Sequence, residues 1–163
     1  IAPHYNLKRH GRTLLSAAAI LHDIGYHISH ESHHKHSLYL IKHSEITGFT
    51  ETEKAVIANI ARYHRGSLPK EKHADFMALS EADQKIVWKL GAILRLADAL
   101  DHGYEKHIKD IEIKRSRNDL SLKIVSNGNY SVELQAVERK KDMFETAFNC
   151  KLNVATEKFL AKI

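Results

Sequence analysis

The 163 residues contain one cysteine, Cys150, so no disulfide can form within the chain and a reducing, cytoplasmic setting is expected. Long apolar runs are missing too. The longest, Leu14–Leu21, is interrupted by Ser16 and falls far short of the ~20 residues that a bilayer-spanning helix needs. No basic stretch followed by an apolar segment stands at the start, so no secretion signal is expected. Nor is charge of one sign concentrated anywhere. The formal net charge is +5 and the pI about 9.2, but Lys and Arg are interspersed with Glu and Asp, as on solvated helix faces. Repeats and low-complexity linkers are absent as well. With 43% apolar and 28% charged residues, these features exclude a disordered tail, a collagen-like repeat and a disulfide-stapled miniprotein. They leave a globular chain of one domain, or of one domain with a small appendage.

Histidine is in excess. Thirteen occur, nine of them between His4 and His43, which points to metal or phosphate chemistry in the first half of the chain.

From about Gly11 to His102 the apolar spacing is helical. Leu14, Leu15, Ala18, Leu21 and His22 share one stripe, and Gly25 is a natural stop. His36–Ser44 reads as a short helix with Leu38, Leu40 and Ile41 on its apolar face. Thr50 and Glu53 form a capping box for a helix running to about His64. Ser80 with Asp83 opens another, whose Ile86, Val87, Leu90, Ile93, Leu94, Ala97 and Leu100 predict the central, most buried helix. After about Tyr104 the period changes to two. Three strands are expected, around Ile111–Ile113, Leu120–Ile124 and Tyr130–Leu134, with hairpin turns at Arg117–Asn118–Asp119 and Ser126–Asn129. A helix near Ala136–Phe148 and a short strand at Lys151–Val154 follow. The predicted fold is mostly α: a helical bundle over residues 1–104, then a small α+β appendage of three to four short strands and a helix over 105–163.

Four features stand together in the helical part: His22-Asp23, His36, His64 and Asp98. Each falls near the end or start of a different predicted helix, and imidazole with carboxylate is a common donor set for divalent transition metals. The pair His22-Asp23 could equally be a polar helix terminus favoured by the helix dipole. Asp98 lies in an otherwise apolar helix, so a metal or an arginine must meet it.

The strings Ala18–Gly25 (AAILHDIG), His33–Ser37 (HHKHS), Arg62–Arg65 (RYHR) and Arg95–Asp101 (RLADALD) resemble the His-Asp (HD) superfamily of metal-dependent phosphohydrolases. More narrowly, they resemble the C-terminal region of the exopolyphosphatase/guanosine pentaphosphate phosphatase family, and the resemblance covers nearly the whole chain. It implies an HD-like bundle binding one or two divalent ions (Mn, Fe, Mg, Zn or Ni). The metal ligands it implies are His22, Asp23, His36, His64 and Asp98, with Asp23 able to bridge two ions. Lys35, Arg62, Arg65 and Arg95 are the cations expected to meet substrate phosphate. His33 and His34 are second-choice ligands or phosphate contacts, or donors of a proton to the leaving oxygen; with Asp23 they make up the expected catalytic set. The upstream histidine helix usual in HD domains is expected to be missing, since neither His4 nor His10 is well placed for it. In the full-length enzymes that this chain resembles, exopolyphosphatase chemistry takes place in an N-terminal pair of actin-like domains. Their Gly-rich phosphate loops and catalytic glutamate have no counterpart here.

The function implied is a metal-dependent hydrolase of phosphoanhydrides or phosphoesters, of the polyphosphate or guanosine polyphosphate class. The alternative is a non-catalytic module that regulates, binds polyphosphate or dimerises. The expected partner is a phosphate-rich small molecule or polyphosphate, with a homodimer left open and neither a membrane nor a specific nucleic acid involved.

Overall fold

The computed structural model describes residues 9–158 apart from positions 104, 106, 117, 118 and 127. Its elements are α1 (Arg9–Leu21), a 3₁₀ turn (Ile24–His27), α2 (His33–His43), α3 (Glu51–Arg62), α4 (Ala74–Met77), α5 (Glu81–Leu100), β1 (Ile108–Ser116), β2 (Asp119–Ser126), α6 (Ser131–Lys140), α7 (Asp142–Phe148) and β3 (Lys151–Lys158). The architecture is therefore the expected one, mostly helical with a small α+β part at the C-terminal end. No helix among the described residues is long and apolar enough to cross a membrane.

The caps act where the residues place them. Thr50 accepts the Glu53 amide at 3.2 Å while the Glu53 carboxylate accepts the Thr50 amide at 2.7 Å, so two amides at the start of α3 are satisfied reciprocally. Ser80 accepts the Asp83 amide in the same way at the start of α5. Helix α5 is central: α1, α3, α6 and α7 all pack against it, and Val87, Leu90, Leu94 and Ala99 are buried along it. Ala97, expected on the buried stripe, is exposed. Gly91 gives α5 its close neighbours, because a Cβ there would stand 3.1 Å from the Met143 methyl of α7. One hydrophobic cluster runs from Leu14 and Ala18 on α1 through α5 to Phe144, Phe148 and Leu152.

Strand β2 is the middle of a three-stranded sheet ordered β1-β2-β3. It pairs antiparallel with β1, Ile113 opposite Leu122, and parallel with β3, Leu122 opposite Val154. The sequence reading departs from the structure here. Tyr130–Leu134 is not a third strand, so no hairpin follows β2: the chain enters α6 at Ser131, and Asn127 of the expected turn lies outside the described residues. Three alternating apolar residues suggested a strand, but the residues that become buried are Glu133, Ala136 and Val137, spaced as on a helix, while Val132 is exposed. The parallel pairing supplies the reason, since parallel strands need a crossover and α6 with α7 provides it. The single helix expected near Ala136–Phe148 is these two, divided at Lys141. Most of the predicted turn at Arg117–Asn118–Asp119 lies outside the described residues, as does His4.

Candidate metal centre

Helix α1 ends at Leu21, and the 3₁₀ turn that follows carries Asp23 at its N-terminal end. Gly25 allows this turn to lie directly on the start of α2. A Cβ there would sit 2.0 Å from the His33 carbonyl oxygen and 2.6 Å from the Ser37 amide nitrogen. Ser37, fully buried, fastens the two pieces: its hydroxyl donates to the His22 carbonyl at 2.6 Å and accepts the Gly25 amide at 3.0 Å. The first residue of α2, His33, thereby arrives beside Asp23. The third member, His64, follows the C-terminal end of α3.

His33 Nε2 is 3.1 Å and His64 Nε2 3.6 Å from Asp23 Oδ1, and the two nitrogens are 3.2 Å apart. His22 Nε2 approaches the other carboxylate oxygen, Oδ2, at 3.4 Å. Asp23 thus divides its oxygens between two sides. The far sides of the rings are tied to backbone: His22 Nδ1–H donates to the Ala19 carbonyl at 2.7 Å and His64 Nδ1–H to the Ala61 carbonyl at 2.6 Å. His33 Nδ1 lies 3.3 Å from the His30 carbonyl, with the Arg65 guanidinium at 3.4 Å from the same atom. The carbonyl contacts put the ring protons of His22 and His64 on Nδ1 and turn their Nε2 lone pairs toward Asp23, whereas His33 Nδ1 meets both a carbonyl acceptor and a guanidinium donor. Carbonyl-anchored imidazoles are the usual outer support of metal-ligating histidines.

Burial decides the charge state. His33 and His64 are each 1% exposed. Desolvation lowers the pKa of His33 and pushes that of His64 down to about 3, so both are neutral at neutral pH. Two neutral rings meet through their Nε2 atoms, and Asp23 Oδ1 is buried without a hydrogen-bond partner. A carboxylate oxygen in that position lacks the pairing that a buried polar atom requires, although the Asp23 side chain as a whole is 29% exposed. A cation among the three donor atoms would satisfy all of them, and these atoms lie within 4.8 Å of one another.

The cluster opens into a cavity of about 300 Å³, which is also lined by Tyr26, Arg65, Asp98, His102 and Lys140. Tyr26 packs on the His33 ring with centroids 3.9 Å apart. A second cavity of about 230 Å³ is lined by Ala19, His22, Leu94, Ala97 and Asp101, and Asp23 and Asp98 line both.

Residues 3–143 match the family model for Ppx/GppA phosphatase, domain III. The chain belongs to this family. Every residue of the Asp23–His33–His64 cluster, and Asp98 and Lys140 with them, falls inside the matched span of Ppx/GppA domain III. The chain is 45% identical over 60 residues to a guanosine-5'-triphosphate,3'-diphosphate pyrophosphatase of Pseudoalteromonas translucida (strain TAC 125), covering 37% of this chain and 12% of that protein. Proteins of the same name from Vibrio campbellii (strain ATCC BAA-1116) and Vibrio parahaemolyticus serotype O3:K6 (strain RIMD 2210633) are also similar. The first is 39% identical over 94 residues, 56% of this chain and 18% of that protein. The second is 35% identical over 118 residues, 70% of this chain and 22% of that protein. The chain thus spans between about an eighth and a fifth of the length of these curated relatives.

Of the residues singled out from the sequence, the fold brings Asp23 and His64 together, with His22 beside them and His33 between. His36 is not among them. The buried residues of α2 are His33, Ser37, Leu38 and Ile41, and His36 lies about 100° round the helix from Ser37, half-buried. Asp98 lines the cavity, but its partner is Lys140 of α6 rather than an arginine. Among the four cations expected to meet phosphate, only Arg65 lines the cavity. Lys35 is exposed elsewhere on α2, and Arg62 lies over the Tyr63 ring. Arg95 is buried, donating to the Tyr63 carbonyl at 3.4 Å and facing Asp142 at 3.8 Å. His34 packs against Gly66; desolvation, then Arg62 and Arg65, push its pKa down to about 4. Tyr26 could be read from the sequence as pocket lining or as packing, and Lys140 as a solvated face or a polyphosphate contact; His102 was not anticipated. His33, Ser37 and Ile41 recur at i, i+4 and i+8, but so do His36 and Leu40 at i and i+4, so spacing alone does not favour His33 over His36.

Proposed function

We propose that this chain is the divalent-metal-binding, HD-type part of a phosphohydrolase acting on phosphoanhydrides or phosphoesters of the polyphosphate or guanosine polyphosphate class. The observation that carries the reading is the buried, unbonded Asp23 Oδ1 facing the Nε2 atoms of His33 and His64. These three residues hold the ion; His22 stands at the other oxygen of Asp23 and Asp98 lines the cavities on both sides, so a further ion would share the Asp23 carboxylate. A divalent ion bound there acidifies water and polarises a phosphoryl oxygen. The protein contributes the rest: Nδ1 anchors that keep the His22 and His64 imidazoles aimed, Tyr26 packed at a tilt on His33, and the Arg65 guanidinium, whose planar fork suits phosphate oxygens. The substrate class is supported by the name of the relatives, guanosine-5'-triphosphate,3'-diphosphate pyrophosphatase. Elemental analysis and calorimetric titration test the metal: wild type takes up a divalent ion near stoichiometry and Asp23→Asn does not. Hydrolysis of pyrophosphate or a guanosine polyphosphate, lost in Asp23→Asn, tests the chemistry.

A second reading is favoured by the small share of each relative that the chain covers: a non-catalytic module that binds polyphosphate for a longer enzyme. In that case polyphosphate binding is steeply salt-dependent and survives Asp23→Asn.

A further inference from the structure

The cavity holds two carboxylates in unlike situations. Asp23 has a buried oxygen with no hydrogen bond, while the ammonium group of Lys140 sits on Asp98 Oδ2 in a close ion pair. Lys140 is at the C-terminal end of α6, which packs along α5, and it crosses to a carboxylate 42 residues earlier in the chain. The two side chains are only 17% and 16% exposed, so the pair is largely withdrawn from water and each partner depends on the other for its charge balance. Both line the same cavity as Asp23, His33, His64 and Arg65.

A divalent ion that uses Asp98 has to take the carboxylate oxygen that Lys140 holds. Lysine suits such an exchange. Its ammonium is a compact point charge on a flexible four-carbon stem, with three donors that turn readily to another acceptor. Once displaced it stays within the cavity, because α6 is fixed against α5, and the strongest acceptor that can arrive there is phosphate. From this arrangement we infer that Lys140 is an exchangeable phosphate-binding residue, paired with Asp98 until a metal ion claims that carboxylate, then joining Arg65 on the substrate's phosphate. The inference rests on the metal reading above and extends it. The energetic consequence is linkage: metal binding frees the phosphate contact, so metal and phosphate strengthen each other's binding reciprocally.

The test is calorimetric titration with Mn²⁺, then with pyrophosphate at saturating Mn²⁺, on wild type, Lys140→Met, Lys140→Arg and the exposed neighbour Arg139→Met as a charge control. Lys140→Met removes the competitor, so Mn²⁺ affinity rises about tenfold, while pyrophosphate affinity of the loaded protein falls by a similar factor. Lys140→Arg keeps a cation on Asp98 and shows no rise in Mn²⁺ affinity, and Arg139→Met resembles wild type in both titrations. Circular dichroism establishes that each variant is folded, and if Lys140→Met does not fold, Lys140→Gln takes its place. Unchanged or weakened Mn²⁺ binding in Lys140→Met, beside a wild type that binds and an Asp23→Asn that does not, overturns the exchange and leaves the metal reading standing. If wild type itself binds no Mn²⁺, the metal reading falls and the exchange with it.

Discussion

Replacing Gly25 with alanine should damage this protein more than any other glycine-to-alanine change within its helical part. The added Cβ would stand 2.0 Å from the His33 carbonyl oxygen, 2.6 Å from the Ser37 amide nitrogen and 2.8 Å from the Ser37 hydroxyl. The first two are backbone atoms of α2 and cannot rotate aside, so the turn carrying Asp23 has to lift off the helix. Lifting it breaks the hydrogen bonds of Ser37 to the Gly25 amide and the His22 carbonyl, each worth about 1 kcal/mol net. Overpacking adds about 1–3 kcal/mol. The sum is on the order of 3–5 kcal/mol, which in a chain of this size lowers Tm by about 10 °C. Ser37→Ala separates the two contributions, since it removes both hydrogen bonds with no overlap and should cost about 2 kcal/mol. Gly11→Ala is the control: it lies in α1 with nothing within 4 Å of the new methyl, and should be neutral or stabilising by up to about 1 kcal/mol. Thermal melts followed by circular dichroism read all three. A Gly25→Ala protein melting within about 2 °C of wild type would mean that the turn is not pressed against α2.

His33→Ala should abolish tight divalent-metal binding while His36→Ala leaves it unchanged; a titration giving the reverse order would restore the ligand set expected from the sequence. The pKa values of His34 and His64 are lowered from 6.5 to about 4 and about 3, so below pH 6.5 the unfolded chain binds protons that the fold refuses. Stability should therefore be fully present above that pH and decline as pH falls from 6.5 toward 5, by up to about 1.4 kcal/mol per pH unit for each such group. Urea midpoints that stay level or rise over that interval would contradict it. Thr50→Ala should cost about 1 kcal/mol through the α3 cap, read as a small drop in Tm, and no change at all would mean that the reciprocal bonds with Glu53 contribute nothing.

What was readable beforehand is whatever short-range chemistry decides. The Thr50–Glu53 and Ser80–Asp83 caps, the apolar circumference of α5, and the alternation of Leu120, Leu122 and Ile124 each specify their own element without reference to the rest of the chain. Tyr130–Leu134 failed because three alternating residues are too few to separate a strand from the first turn of an amphipathic helix. The outcome was set by the parallel pairing of β3 with β2, which no local pattern encodes. In the site, the paired His22-Asp23 and the distant His64 were legible as motifs. Choosing between His33 and His36 required knowing which face of α2 meets the Gly25 turn. The partner of Asp98 could not be found from spacing, because Lys140 reaches it only after α6 has docked on α5. Arg95 looked like a phosphate cation by proximity to Asp98 in sequence, yet the helix turns it inward to the Tyr63 carbonyl.

The most direct test is anomalous diffraction from crystals of the protein grown with Zn²⁺, recorded on both sides of the zinc edge. The account predicts a full-occupancy peak about 2.0–2.2 Å from an Asp23 carboxylate oxygen and from the Nε2 atoms of His33 and His64. No peak between those atoms, with Asp23 Oδ1 instead hydrogen-bonded to protein or water, would contradict it.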